Sequence, residues 1–462
     1  MFCSKCGTQL DDGVRFCPKC GAPVAGADAP GVTTAGVTTD TTTTGVGPES
    51  GTTTGAKVRK RNPLAFVVAV LIVIAAVCGG AYLALNLVGA ATGGGNPVDK
   101  VLPPAVSGAE RGEGNTKANL ANGGYALCAD GYDYFISYRE GGICRAKVGG
   151  DEVEKVYGLE SDGTQFVGHL NYDGGRIYFL ETTYSAESTD NETCIKSIKV
   201  DGSDKQTVSK LDTKDGSLRI TYNGLYIYDG TLYVTASGWD NDSSSTKDTL
   251  RVMSLKEDGS DEKELLSETS SRGYMSSMVT KDRIYWVVNP SSSDDSDTKG
   301  TICSQKLDGS DYKEIYTSGV GYLQLENIRD GRIYLCESSR NSSKQVWASI
   351  KTDGSDRKEI SSFSNDGGSG YSYSIGLSEK SLFFVTTSEY GEVDKLWSLP
   401  IEGGEKTEVK SPDSSLYNPN VFDAGDHVIV LGNGQDVAGI GIQVTSMKAD
   451  GSDAHSYVKS SN

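Results

Sequence analysis

Four thiols near the N-terminus carry the plainest chemistry in this chain: Cys3 and Cys6, ten residues, then Cys17 and Cys20. Each CxxC pair is followed by glycine, Gly7 and Gly21. Glycine takes the backbone angle that lets two thiolates face one ion while backbone amides hydrogen-bond the sulfurs. Two such knuckles joined by a hairpin make a tetrahedral four-sulfur site, whose usual occupant is Zn2+. Residues 1–24 are too few to fold on a hydrophobic core, so metal binding is expected to supply their folding energy. The rival readings are two disulfides, which a reducing compartment disfavours, and a rubredoxin-like iron site, whose knuckles lie farther apart. The knuckles carry only Lys5, Arg15 and Lys19 beside Asp11 and Asp12. A structural or protein-docking role is therefore expected, and no nucleic-acid partner.

What positions this segment is a run of 25 residues without a charge, Leu64 to Val88. About 20 apolar helical residues cross a bilayer, so residues 63–88 are expected to form a transmembrane helix. The run is longer than the core of a signal peptide and lies far from the chain start. Lys57, Arg59, Lys60 and Arg61 precede it, and the next charges beyond it are Asp99 and Lys100. Basic residues stay on the cytoplasmic side, which places the N-terminus inside and the C-terminal portion outside the cell membrane. Residues 25–62, rich in Thr and Gly, read as a disordered cytoplasmic tether, and residues 89–118 as an extracellular spacer.

The net charge of −18 is unevenly placed. Residues 1–62 hold seven Lys/Arg and five Asp/Glu, or +2, which leaves −20 for the rest. So acidic an exterior is a poor match for phosphate backbones. It suits solubility and self-repulsion.

Internal repetition sets the architecture of residues 119–462. One mark recurs as VGGDE (148–152), VDGSD (200–204), EDGSD (257–261), LDGSD (307–311), TDGSD (352–356), IEGGE (401–405) and ADGSD (449–453). The intervals between their equivalent glycines are 53, 57, 50, 45, 49 and 48 residues. Asp-Gly between alternating runs makes a tight hairpin, with Gly at positive φ. A second element precedes each mark: YDYFIS, RIYFLE, TLYVTA, RIYWVV, RIYLCE, SLFFVT and HVIVLG. With one further alternating run, each unit offers four short strands, the content of a propeller blade. Seven units imply a mainly β fold, a seven-bladed β-propeller of four-stranded antiparallel blades. Ring closure covers the two apolar sheet faces that an open row would expose. β-Helix repeats are shorter, and no helical period appears.

Two resemblances add to this. Residues 1–24 look like the small zinc-ribbon domain found at the N-termini of many bacterial membrane proteins. From about Asn115 to Val458, the paired "DGRIYF" and "DGSD" elements resemble the bacterial relatives of the low-density-lipoprotein-receptor-related (YWTD) propellers and the TolB-type propellers, in a domain family of unknown function. The closest local match to YWTD is Tyr285-Trp286-Val287-Val288, which lacks the aspartate.

Catalytic frames are scarce. The three histidines, His169, His427 and His455, are scattered and fall in no nucleophile motif. The DGSD turns lack the ligand spacing of a calcium loop, and Ser364 to Tyr371 gives only a single partial Asp-box between blades. Cys128, Cys144, Cys194, Cys303 and Cys336 allow two disulfides with one thiol left over, or buried free thiols. No catalytic or cofactor-binding residue is assigned; the metal ligands are Cys3, Cys6, Cys17 and Cys20. The expected role is a membrane-tethered scaffold that binds protein, peptide or glycan on the propeller face carrying residues 237–248 and 289–300. An exported hydrolase or lyase acting on cell-surface glycan or peptide is the alternative.

Overall fold

The computed structural model describes residue 9, residues 114–115 and residues 123–459, apart from 161–163, 186–190, 217, 241–247, 271–274, 291–297, 340–343, 365–371, 388–392, 411–417 and 433–439. The four N-terminal cysteines, the tether, the apolar run 64–88 and most of the spacer lie outside the described residues. Among the described residues no helix is long and apolar enough to cross a membrane. The chain divides into units 1–97 and 98–462.

Unit 98–462 is a propeller of seven antiparallel sheets, each built from one continuous stretch of chain. Blade 1 runs from Ala126 to Gly158, blade 2 from Gln165 to Leu211, blade 3 from Lys214 to Ser270 and blade 4 from Met275 to Thr317. Blade 5 runs from Gly321 to Ser364, blade 6 from Ser372 to Val409 and blade 7 from Asn420 to Val458. Six blades have the expected four strands. Blade 3 has a fifth, Lys214–Asp215, which folds back on Leu218 and Arg219. It pairs backbone groups at the start of an inner strand eleven residues long.

The second strand of blade 2, Arg176–Tyr184, shows why the sheets need neighbours. Ile177 and Phe179 pack with Leu127, Tyr134 and Ile136 of blade 1. Tyr178 and Leu180, on the opposite face, pack with Leu225, Ile227 and Val234 of blade 3. Period-two alternation thus buries both faces, at about 1.5–3 kcal/mol for each large apolar side chain.

The DGSD turns share one conformation. Asp201 Oδ1 accepts from Ser203 N at 2.9 Å and from Ser203 Oγ at 2.6 Å, and the same pair of bonds recurs at Asp258, Asp308, Asp353 and Asp450. In blade 2, Gly202 and Asp204 both sit at positive φ, 79° and 53°. Each turn therefore needs two left-handed residues, which Gly and Asp tolerate.

The two recurring sequence elements touch. Arg176 Nη1 meets Asp204 Oδ2 at 2.8 Å, and Nη2 donates to Asp204 O at 2.8 Å and Ser197 Oγ at 2.9 Å. Arg283 grips Asp311 and Ser304 in the same way, and Arg332 grips Asp356 and Ser349. The arginine of RIY thus clamps the hairpin of its own blade. Arg176→Ala is expected to lower propeller stability by about 2 kcal/mol in denaturant unfolding, since it removes charge-assisted bonds to a buried guanidinium.

The ring closes without a shared strand. Blades 7 and 1 meet through Phe422, Ile429, Leu431 and Val444 against Ala126, Phe135 and Cys144. Tyr457 stacks on Phe135 with centroids 5.6 Å apart. Tyr138 N donates to Ile440 O at 3.0 Å, and Ser137 Oγ to Gly441 O at 2.7 Å. Gly114 and Asn115 also belong to the ring. Asn115 N donates to Asn171 Oδ1 at 3.0 Å and its Nδ2 to Ala126 O at 3.0 Å. Asn171 in turn donates to Leu225 O at 2.9 Å, so this entry segment lies across the inner strands of blades 1 to 3.

Candidate functional site

Strand direction sorts the loops. Each first strand runs down and each second strand up, so the DGSD turns gather at one end. The links between blades and the connections between second and third strands gather at the other. Residues 237–248 and 289–300 are such connections in blades 3 and 4, and so share the second end, although 241–247 and 291–297 lie outside the described residues. Residues 237–240 extend the strand Thr231–Asp240 and are not loop.

A cavity of about 430 Å³ lies at that end, between blades 3, 4 and 5. Tyr226, Ser277, Met278, Tyr322, Gln324 and Gln345 are among the residues lining it, and no charged side chain is among its described lining residues. Asn289, at the start of the second loop, fixes its rim. Its Nδ2 donates to Leu323 O and its Oδ1 accepts from Leu323 N, both at 2.8 Å. Tyr226 Oη donates to Ser277 O at 3.3 Å and ties blade 3 to blade 4 there.

Bulges interrupt the inner strands of blade 5, which lines this cavity, and of blade 2, which does not. Glu326 is the extra residue between Leu325 and Asn327, and His169 lies in the bulge between Gly168 and Asn171. Bulges re-aim side chains and recur near binding sites. Glu326 is buried and accepts a hydrogen bond from Ser374 Oγ at 2.6 Å. Burial lifts its carboxyl to about 7, against a small opposing effect of that bond. Cys336 lines the cavity, and burial, followed by the charge of Glu326, raises its thiol well above the ordinary value. It is protonated at neutral pH and inert as a nucleophile. His169 has a φ of 56°, and its Nδ1 is enclosed without a hydrogen-bond partner. Burial lowers its pKa to about 4, so the ring is neutral at pH 7.

A second polar cluster sits where blade 7 meets blade 1. His427 Nε2 lies 2.8 and 3.0 Å from the two oxygens of Asp133, and Nδ1 lies 2.7 Å from Asp426 Oδ1. Tyr457 Oη donates to Asp133 Oδ2 at 2.8 Å. Burial alone would lower the His427 pKa, but bonds to Asp133 and Asp426 outweigh it and carry the value to about 9. Cys128 stands opposite Asp133 across the first two strands of blade 1, and burial, then Asp133, pushes its thiol up to about 12.

Sequence reasoning missed this cluster. Its signal was one residue: the register places Asp133 where the other blades have Ile177, Leu232, Ile284, Ile333, Leu382 and Val428. His427 likewise holds the position of the clamping arginines. The five cysteines from Cys128 to Cys336 are all free, so the two-disulfide alternative falls. Cys144, Cys194 and Cys303 lie on third strands of separate blades, facing no common partner. Cys3, Cys6, Cys17 and Cys20 are outside the described residues, as is the segment between Ser364 and Ser372 apart from its ends.

Residues 2–24 match the zinc-ribbon domain family. No curated protein sequence matches the chain significantly. Similar solved structures include a nidogen/laminin complex, at 13% identity over 64% of this chain and 93% of that one, with a TM-score of 0.37. An acylaminoacyl peptidase in complex with Z-Gly-Gly-Phe-chloromethyl ketone is 12% identical over 74% of this chain and 53% of its own, with a TM-score of 0.47. The present chain thus spans about half the length of that peptidase. TolB from Acinetobacter baumannii is 11% identical over 66% of each chain, with a TM-score of 0.33.

Proposed function

We propose that this chain is a membrane-tethered binding scaffold whose propeller holds a neutral, polar segment of peptide or glycan in the cavity between blades 3, 4 and 5. The observation that carries this reading is the lining: hydroxyl and amide groups with apolar patches, in a space of about 430 Å³, and no described charged side chain. Concave sites of this size with a few convergent polar groups suit small ligands or one protruding part of a larger one. Catalysis has less support, because the Cys336 thiol is held protonated and the buried Glu326 is engaged by Ser374. The uncharged run 64–88 is the anchor, with the basic cluster 57–61 on the cytoplasmic side.

The test is an array of cell-wall glycans and secreted peptides probed with the full chain, followed by Tyr322→Ala and Gln345→Ala. Both variants are expected to weaken capture tenfold or more while leaving the unfolding transition in place. Capture that ignores both substitutions, or turnover of the captured molecule, overturns the reading.

The ribbon supports a structural role for zinc. Cys3, Cys6, Cys17 and Cys20 supply four soft donors, a closed set that leaves no open coordination position for chemistry. With Cys17→Ser, or after chelation, residues 1–24 are expected to lose protection from protease while the ring keeps its unfolding midpoint. Limited proteolysis with mass detection reads both.

A further inference from the structure

Three potential metal-ligand atoms converge at the ring seam: Cys128 Sγ, an Asp133 carboxylate oxygen and His427 Nε2 all lie within 4.8 Å of one another. Two come from blade 1 and the third from blade 7. We propose that Cys128, Asp133 and His427 form a second metal site, which takes a Zn2+-type divalent cation and pins the first blade to the last.

The donor set selects the class of ion. A thiolate with an imidazole and one carboxylate suits borderline transition cations and is a poor cage for Ca2+ or Mg2+, which prefer oxygen. The outer partners of such a site are already in place. Asp426 Oδ1 sits 2.7 Å from His427 Nδ1, the carboxylate–histidine arrangement that orients a metal-binding imidazole. Tyr457 Oη, 2.8 Å from Asp133 Oδ2, orients the carboxylate in turn.

Tetrahedral zinc holds nitrogen and oxygen about 2.0 Å and sulfur about 2.3 Å from the metal, so a closure on the order of 1 Å assembles the three ligands. The fourth position falls to water. Access runs past Cys128, which is partly exposed, while Asp133 is fully enclosed. Without metal, Nε2 is spent on Asp133. The cation replaces that contact, and the thiol and imidazolium protons leave to solvent. Bridging two sheets that share no strand would stabilise the closed ring by mass action.

The test separates this site from the ribbon. In the full chain carrying Cys3→Ser, Cys6→Ser, Cys17→Ser and Cys20→Ser, Co2+ titration is expected to develop a thiolate-to-Co2+ absorption band that saturates at one equivalent and is displaced by Zn2+. Adding Cys128→Ser should abolish the band, and His427→Gln should weaken binding at least tenfold, with unchanged far-ultraviolet circular dichroism. The thermal midpoint of the ribbon-null chain should rise with Zn2+ only while Cys128 is present. No thiolate band, or one that survives Cys128→Ser, overturns the proposal and leaves the cluster as a metal-free ion pair.

Discussion

Asp133→Ala is expected to lower the stability of the propeller by about 3 kcal/mol, among the largest effects of any single substitution in the ring. The carboxylate has no exposure, and His427 is only 8% exposed. Held charged at neutral pH by its two carboxylate partners, the imidazolium would keep only Asp426, whose side chain is 92% exposed. A buried charge stripped of its buried partner is costly, whereas replacing both partners with apolar groups is often neutral. Asp133→Ile with His427→Leu should therefore return to within about 1 kcal/mol of the parent. Isoleucine at 133 also restores what blades 2, 4 and 5 carry there. Denaturant unfolding of the parent, Asp133→Ile, His427→Leu and the double variant, without added metal, gives the double-mutant cycle. A double variant as unstable as Asp133→Ala would refute the pairing.

Glu326→Gln should stabilise the protein at pH 8 and leave its stability unchanged at pH 4. The folded carboxyl titrates near 7, against an ordinary value of 4.5. Between these values the folded protein keeps a proton that the unfolded chain has lost, so stability falls as pH rises through the window and levels off above it. The shift corresponds to about 3 kcal/mol. Glutamine cannot ionise and still accepts the Ser374 hydroxyl. Its gain over the parent should be absent at pH 4, grow between pH 4.5 and 7, and hold at pH 8. Parallel unfolding curves at pH 4 and 8 check this; a gain independent of pH would assign the effect to packing.

The blade count was legible because it is written in local chemistry. A turn with two left-handed residues wants Gly and Asp, and the arginine that clamps it lies one strand away, so DGSD recurs in five of the seven units and the RIY arginine in three. Contacts between blades were not legible. Asp133 and His427 are 294 positions apart, and each looks ordinary within its own run. The alternating run YLQLENI gives no hint that Glu326 is the odd residue of a bulge, because the bulge is fixed by neighbouring sheets. The cavity was foreseen only as an end of the ring, since its lining comes from three blades. The cysteine count allowed disulfides; the structure leaves all five free, with Cys144, Cys194 and Cys303 on third strands of separate blades, Cys128 on the first strand of blade 1 and Cys336 on the second strand of blade 5.

The entry segment has a mechanical consequence. Asn115 is bonded to the innermost strands of two blades and, through Asn171, to a third. Traction on the chain ahead of residue 114 is thus delivered at the hub and shared among three sheets. It does not peel an outer edge. A pull arriving from that side loads these three hydrogen bonds on the inner strands together, and not one strand edge bond by bond.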